Sequence, residues 1–305
     1  MICIACPGQG SQAAGFLEPW LEIPAFKHSI EQSSAAIDLD LIHFGTVADS
    51  EAIRDTKIAQ PLIVAAGIAS YQALREKLGD SLKVSATAGH SVGEITAAYV
   101  SGILDTQTAL NFVQRRGVEM AHAASLSASG MAAVVGGELD QVLAHVESAG
   151  LFTANYNGAG QIVAAGATEM ISNLVASAPA GSRVIQLQVA GAFHTSFMEP
   201  ARPALEEFAI DLQVQDPAIS IWSNNNGQLV ESGQMFLDLM VDQVSNPVRW
   251  DKTIESMTAA NVSLLIELLP GGALSGIAKR AMPNTVAIAL KSPTDLDKVA
   301  EAIGK

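Results

Sequence analysis

The sequence predicts an α/β protein, and three observations predict it. Strand-like and helix-like segments alternate along most of the chain, the pattern of a parallel sheet covered by helices. Residues 84–99 read as a short buried strand, then Gly89-His90-Ser91-Val92-Gly93, then a helix of small residues. A serine between two glycines at such a junction has the spacing of a nucleophile elbow and points to an α/β-hydrolase-like main domain with a parallel sheet. Between residues 126 and 191 the order changes to β-α-β-β-α-β, the ferredoxin-like plan of a small inserted domain. The expected division is a discontinuous α/β catalytic domain of residues 1–125 and 192–305, interrupted by a ferredoxin-like domain over 126–191.

Composition narrows the functions open to such a protein. With 305 residues, 49% hydrophobic and 16% charged, the chain can bury a sizeable core and is not disordered. No apolar run approaches the roughly 18 residues needed to span a bilayer. The balance of 17 basic against 31 acidic residues gives a net charge of −14, which makes nucleic acid and anionic membrane poor partners. An anionic ligand would need a local cationic pocket.

The first segment, Met1 to Cys6, is apolar, lacks a basic leader and stops at Pro7. It reads as the first strand of a cytoplasmic protein rather than a signal peptide. Cys3 and Cys6, three apart on a strand, point to opposite faces, and no second pair completes a zinc site. They read as buried structural cysteines, and no metal is expected.

The strand runs into Pro7-Gly8-Gln9-Gly10-Ser11-Gln12, two glycines around an amide side chain. This is either an ordinary strand-to-helix turn or a loop whose backbone approaches a ligand, with Gln9 at its tip. It lacks the full dinucleotide fingerprint. Helical pieces and polar turns follow over residues 24–55. Ala59–Leu78 reads as a long helix with Pro61 in its first turn.

After the elbow, a glycine–serine pattern that also arises by chance in turns, comes a helix over Thr106–Ala124. Its stripe of Leu110, Val113, Gly117, Met120 and Ala121 faces inward, and Arg116 lies on the same side. Arg115 projects towards Glu119, four residues on, as a solvent pair. An arginine on the buried face needs a carboxylate or a ligand. A structural ion pair and an anionic ligand both satisfy that need.

Ser125–Gly130 is a run of small polar residues and reads as a linker. Met131–Gly136 follows as strand, Glu138–Ala149 as helix, Leu151–Asn157 and Gln161–Gly166 as strands, Thr168–Ala178 as helix and Arg183–Ala190 as strand. The chain then returns to the main body at Gly191-Ala192-Phe193-His194, where a histidine follows a strand at a domain junction, a place where clefts form. Ser196 with Glu199 reads as a capping box, and Pro200 and Pro203 leave the extent of that helix open. Beyond it lie a strand at Ala218–Ser223, a turn at Asn226-Gly227 and helical segments flanking Asn246–Trp250. A buried strand at Leu264–Leu268 runs into Pro270-Gly271-Gly272 and a helix, and Val286–Leu290 is the last strand before a terminal helix.

With Gly8-Gln9-Gly10-Ser11-Gln12, Gly89–Glu94, Arg116 and Gly191-Ala192-Phe193-His194 in this order, the chain resembles malonyl-CoA:acyl carrier protein transacylases over essentially its whole length. The resemblance implies a ping-pong acyl transfer for which malonyl-CoA, coenzyme A and acyl carrier protein are substrates and no cofactor or metal is bound, serving fatty acid synthesis. Ser91 would be the nucleophile and His194 the general base, its second ring nitrogen held by a main-chain carbonyl of the Asn246–Trp250 segment, at the position of Arg249. Backbone N–H groups of Gln9 and Val92 would form the oxyanion hole. Arg116 matches the arginine that takes the malonyl carboxylate. Phe193, in the malonyl-selective form of its motif, would keep the pocket small. Asn155 and Asn157, with Gly160 and Gln161, would line the cleft, and His90 would support the site. Lys279 and Arg280 are candidates for docking an acidic carrier.

Two other readings compete. A serine hydrolase or thioesterase of α/β-hydrolase type places an acidic residue between Ser and His in chain order, and the acids found there lie in the insert. An inactive homologue that only binds the carrier would have no need of Ser91, His194 and Arg116 together.

Overall fold

The computed structural model describes residues 1–189 and 191–305. The chain begins with β1 (Ile2–Cys6), then α1 (Pro24–Ile37), α2 (Leu41–Thr46) and α3 (Thr56–Leu78). Next come β2 (Val84–Gly89), α4 (Gly93–Ser101) and α5 (Thr106–Ser125). The following stretch gives β3 (Ser129–Gly136), α6 (Leu139–Ser148), β4 (Phe152–Gly158), β5 (Gln161–Ala167), α7 (Thr168–Ala176) and β6 (Ser182–Gln186). The remainder is α8 (Arg202–Ile210), β7 (Ser220–Trp222), α9 (Gly233–Asp242), α10 (Trp250–Ala259), β8 (Leu264–Glu267), α11 (Ala273–Ala281), β9 (Val286–Ala289) and α12 (Asp295–Ala302).

Five strands form one parallel sheet in the order β7-β2-β1-β8-β9. Helices cover both faces, which is why β1 reads as an unbroken apolar run and β8 as one that is apolar up to Glu267. Cys3 and Ala5 face one core with Trp222 and Met257, whereas Ile4 and Cys6 face the other. The two cysteines therefore diverge as their spacing requires. Burial pushes the Cys3 thiol up to about 12 and raises that of Cys6 as well, so both stay protonated.

The second sheet is antiparallel, in the order β4-β5-β3-β6, as the β-α-β-β-α-β sequence of elements demands. One face buries Val134, Ile162 and Ala164 against Val142 and Val146 of α6 and Ile171 and Leu174 of α7. From the other face Met131, Val163 and Ala165 join the main core. The junction is fixed by main chain: the Tyr156 N–H donates to Val248 O at 2.8 Å, and the Val248 N–H donates to Ala154 O at 2.9 Å.

Several local expectations shift. Helix α3 starts three residues before Ala59 because the Asp55 carboxylate accepts the Lys57 N–H at 3.1 Å and caps it. Pro61 thus falls in the second turn, and burial along Thr56–Ser70 keeps the helix continuous there. The Ser196–Glu199 capping box does not form. Thr195 caps instead, its Oγ1 accepting the Phe197 N–H at 3.3 Å, and the turn that follows is a 3-10 helix over Ser196–Ala201. Helix α5 and strand β3 take up half of Ser125–Gly130, leaving 126–128 as the link. The strand expected over Arg183–Ala190 ends at Gln186, and Ala190 lies outside the described residues. Among those residues no helix is long and apolar enough to cross a membrane.

Candidate active site

The parallel register brings three loops to one edge of the main sheet. Cys6 pairs with Gly89 and Ala88 with Trp222, so the segments after β1, β2 and β7 emerge side by side. Ligands of open α/β sheets bind at that carboxyl edge. At Gly8 an added Cβ would lie 2.7 Å from His90 O, which shows how tightly the first loop lies against the second.

Ser91 sits at the apex of the second loop with φ +53, left-handed backbone that a serine adopts only under constraint. The strain is on the serine, and the flanking glycines supply space. A Cβ at Gly89 would lie 2.1 Å from the Gly93 carbonyl carbon, and one at Gly93 would lie 2.1 Å from Cys6 O. Asn224, just after β7, braces the turn. Its Oδ1 accepts the Ser91 N–H at 2.7 Å, and its Nδ2 donates to Gly89 O at 2.6 Å.

Ser91 Oγ lies 2.7 Å from His194 Nε2, and His194 Nδ1 lies 2.8 Å from Gln243 O. A main-chain carbonyl only accepts, so Nδ1 carries the proton and Nε2 is left to accept from the serine hydroxyl. Burial first, and then the charge of Arg116, lower the His194 pKa to about 3, so the ring is neutral.

The carbonyl that orients His194 is Gln243's, not Arg249's. Gln243 opens the 3-10 turn that follows α9, and its carbonyl accepts from the Asn246 N–H at 3.2 Å as well as from His194, a second bond that its other lone pair allows. The Arg249 carbonyl is instead spent at the start of α10, accepting the Lys252 and Thr253 N–H groups at 3.1 and 3.2 Å. Its guanidinium pairs with Asp251 at 2.8 Å and lies 4.6 Å from the centre of the Tyr156 ring.

Arg116 is 1% exposed and no ion pair forms at it among the described residues. Its Nη1 donates to Gln60 Oε1 at 2.8 Å and its Nη2 to Gln243 Oε1 at 2.9 Å. Burial lowers its pKa to about 10, which still leaves it charged. Arg115, by contrast, pairs with Glu119 at 3.0 Å on the surface side.

Glu94, in the first turn of α4, is 1% exposed. It accepts the Asn224 N–H at 2.6 Å and a bond from Gln243 Nε2. Burial pushes its pKa up to about 8, opposed by hydrogen bonds from Asn224 and Ser223 and by the charge of Arg116.

Ser91 and His194 border a cleft of about 520 Å³ between the two sheets. Gln9, Ser91, Phe193, His194, Asn155 and Asn157 all face it, whereas Arg116 lies behind Gln60. Neither the Gln9 N–H nor the Val92 N–H meets an acceptor among the described residues. Gln9 is anchored by its side chain, whose Nε2 lies 3.4 Å from both Arg54 O and Thr56 Oγ1. His90 Nε2 lies 2.9 Å from Asn157 Oδ1, linking the elbow to β4, and burial lowers the His90 pKa. Asn155 Oδ1 is buried and meets no donor among the described residues. Among the described residues no cluster of His, Cys, Asp and Glu is arranged to hold a metal ion.

Gln60, Glu94, Asn224 and Gln243 are the part that sequence reasoning missed. Only Glu94 left a trace, as an acid set among the small and apolar residues of a helix that follows the elbow directly.

Residues 4–294 match the acyl transferase domain family. The malonyl CoA-acyl carrier protein transacylase of Mycobacterium tuberculosis is 43% identical over 300 residues, 98% of this chain and 99% of its own. The crystal structure of MCAT from Mycobacterium tuberculosis superposes with a TM-score of 0.94 over 98% of this chain and 99% of that one. A malonyl-transacylase solved in complex with a type II PKS acyl-carrier protein superposes with a TM-score of 0.92 at 26% identity, over 99% of both chains. With sequence and fold matched from end to end, the chain belongs to the malonyl-CoA:acyl carrier protein transacylase family.

Proposed function

We propose that Ser91 takes the malonyl group from malonyl-CoA as an ester and that the thiol of acyl carrier protein then removes it. The observation that carries this reading is the 2.7 Å contact between Ser91 Oγ and a neutral His194 whose proton is fixed on the far nitrogen. Ser91 Oγ attacks the thioester carbonyl while Nε2 takes its proton. The oxyanion so formed is met by the Gln9 and Val92 N–H groups, the latter at the start of α4, where the helix dipole favours negative charge. Collapse expels the coenzyme A sulfur, which leaves with the proton from Nε2. In the second half the carrier thiol gives its proton to Nε2 and attacks the ester, and Ser91 departs with that proton.

Arg116 supplies the cation for the malonyl carboxylate in a chain of net charge −14. Phe193 limits the acyl pocket, and Asn155, with its unpartnered oxygen, and Asn157 contact the substrate in the cleft. Both half-reactions proceed with side chains and main-chain N–H groups alone. The carrier-bound structural relative supports an acyl carrier protein as acceptor, and fatty acid synthesis in the cytoplasm is the setting we assign. A hydrolase of the triad type is disfavoured because the group on His194 Nδ1 is a carbonyl and not a carboxylate.

The test is intact-mass analysis after incubation with malonyl-CoA and then with carrier. The parent protein gains one malonyl group and loses it to the carrier thiol much faster than to water. Ser91→Ala gains none while melting cooperatively. A malonyl adduct persisting on that variant would remove Ser91 from the mechanism.

A further inference from the structure

A buried guanidinium ordinarily rests on a carboxylate. Arg116 rests on two neutral carboxamide oxygens, Gln60 Oε1 and Gln243 Oε1. Because a guanidinium only donates, both amides must turn their oxygens towards it. Gln60 is itself 1% exposed, its Nε2 reaches only Met120 Sδ, at 3.5 Å, among the described residues, and it stands between Arg116 and the cleft. Gln243 is the spacer on the other side. Its Oε1 accepts from Arg116 and its Nε2 donates to Glu94, the acid whose charge acts on Arg116. One carboxamide therefore keeps the protein's own acid off the cation.

The arrangement has a chemical consequence. A carboxylate held directly on Arg116 would form a forked, charge-assisted pair and occupy the guanidinium. A neutral amide oxygen makes a bond roughly half as strong, which an incoming carboxylate can displace. We propose that Gln60 and Gln243 are specificity-determining positioning residues: their neutral oxygens hold Arg116 in place for an acyl carboxylate while keeping protein carboxylates from neutralising it. This rests on the reading of Arg116 as the acyl anchor.

Two substitutions on different helices test it. The double change Glu94→Gln/Gln243→Glu keeps the number of carboxyl groups and nearly keeps volume, leaves the main-chain carbonyl that orients His194, and moves the carboxyl group onto the guanidinium. Gln60→Glu does the same from the cleft side. The readout is the ratio of kcat/KM for malonyl-CoA over acetyl-CoA, measured on the full chain with a carrier acceptor. The ratio should fall at least tenfold in both, whereas Gln60→Met, which removes the oxygen without adding charge, should lower it less than threefold. If one variant fails to melt cooperatively, the other decides. A ratio within threefold of the parent in the carboxylate variants, or an equal fall in Gln60→Met, overturns the proposal. Arg116→Ala run alongside separates the two failures. An unchanged ratio there sinks the anchor reading itself, and a collapsed ratio there with intact glutamine variants sinks only this inference.

Discussion

A single substitution distinguishes the two roles open to a buried arginine. If Arg116 holds the acyl carboxylate, Arg116→Ala leaves that carboxylate desolvated without a partner, and kcat/KM for malonyl-CoA should fall by about 2–5 kcal/mol of transition-state binding. Acetyl-CoA carries no carboxylate and should lose far less. Lysine at this position should rescue only partly, since it keeps the charge and loses the two-pronged fork. A structural role predicts an equal fall for both substrates with a lowered melting temperature, so kinetics on both thioesters with parallel melts decides. At this scale the sequence was legible where a residue sits in a local pattern. Ser91 lies in the elbow, His194 follows a strand, and Arg116 lies on an apolar stripe. Asn224 and Gln243 lie 133 and 152 residues from Ser91, and their part in the site is a matter of tertiary contact that no local periodicity records. The same limit explains Arg249. Which carbonyl faces His194 depends on where α9 ends and α10 begins, and helix ends are the least regular part of a pattern.

At the scale of elements, α11 carries a consequence for the carrier. Its N-terminus is held by the buried Glu267 carboxylate, which accepts N–H groups of Gly272, Leu274 and Ser275 at 2.7–2.9 Å. The helix is thereby fixed with its last turn exposing Lys279 and Arg280, and Arg280 borders the catalytic cleft. A cation on the cleft with a second next to it in the same exposed helical turn, in so acidic a protein, suits an acidic carrier. Reversing both charges should slow the carrier half-reaction and flatten its salt dependence, because steering between exposed charges fades as the Debye length drops below about 10 Å. Acylation by malonyl-CoA serves as the internal comparison. An unchanged carrier rate and salt slope would place the docking surface elsewhere. The elements themselves were largely readable because strands buried on both faces are continuous apolar runs. Their ends were less so. Asp55 starts α3 early, and Thr195 displaces Ser196 as the cap, through single side-chain hydrogen bonds.

Over the whole molecule, the cleft exists because the two sheets meet, and the same burial that closes it sets two opposed titrations. His194 is lowered from 6.5 to about 3, so the unfolded chain takes up its proton first as pH falls, and stability is lost between about 6.5 and 3. Glu94 is raised from 4.5 to about 8. Here the folded state binds the proton more tightly, so its contribution is complete below about 4.5 and is lost as pH rises towards 8. Between 4.5 and 6.5 the two slopes cancel, and above 6.5 only the Glu94 loss remains, up to about 2 kcal/mol by pH 8. Glu94→Gln removes that titration and keeps an amide able to accept the Asn224 N–H. Urea unfolding at pH 6.5 and pH 8 should therefore show the parent losing more stability across the interval than the variant. Equal losses would mean that Glu94 is ionised throughout, held by Asn224, Gln243 and the nearby Arg116 strongly enough to overcome its burial.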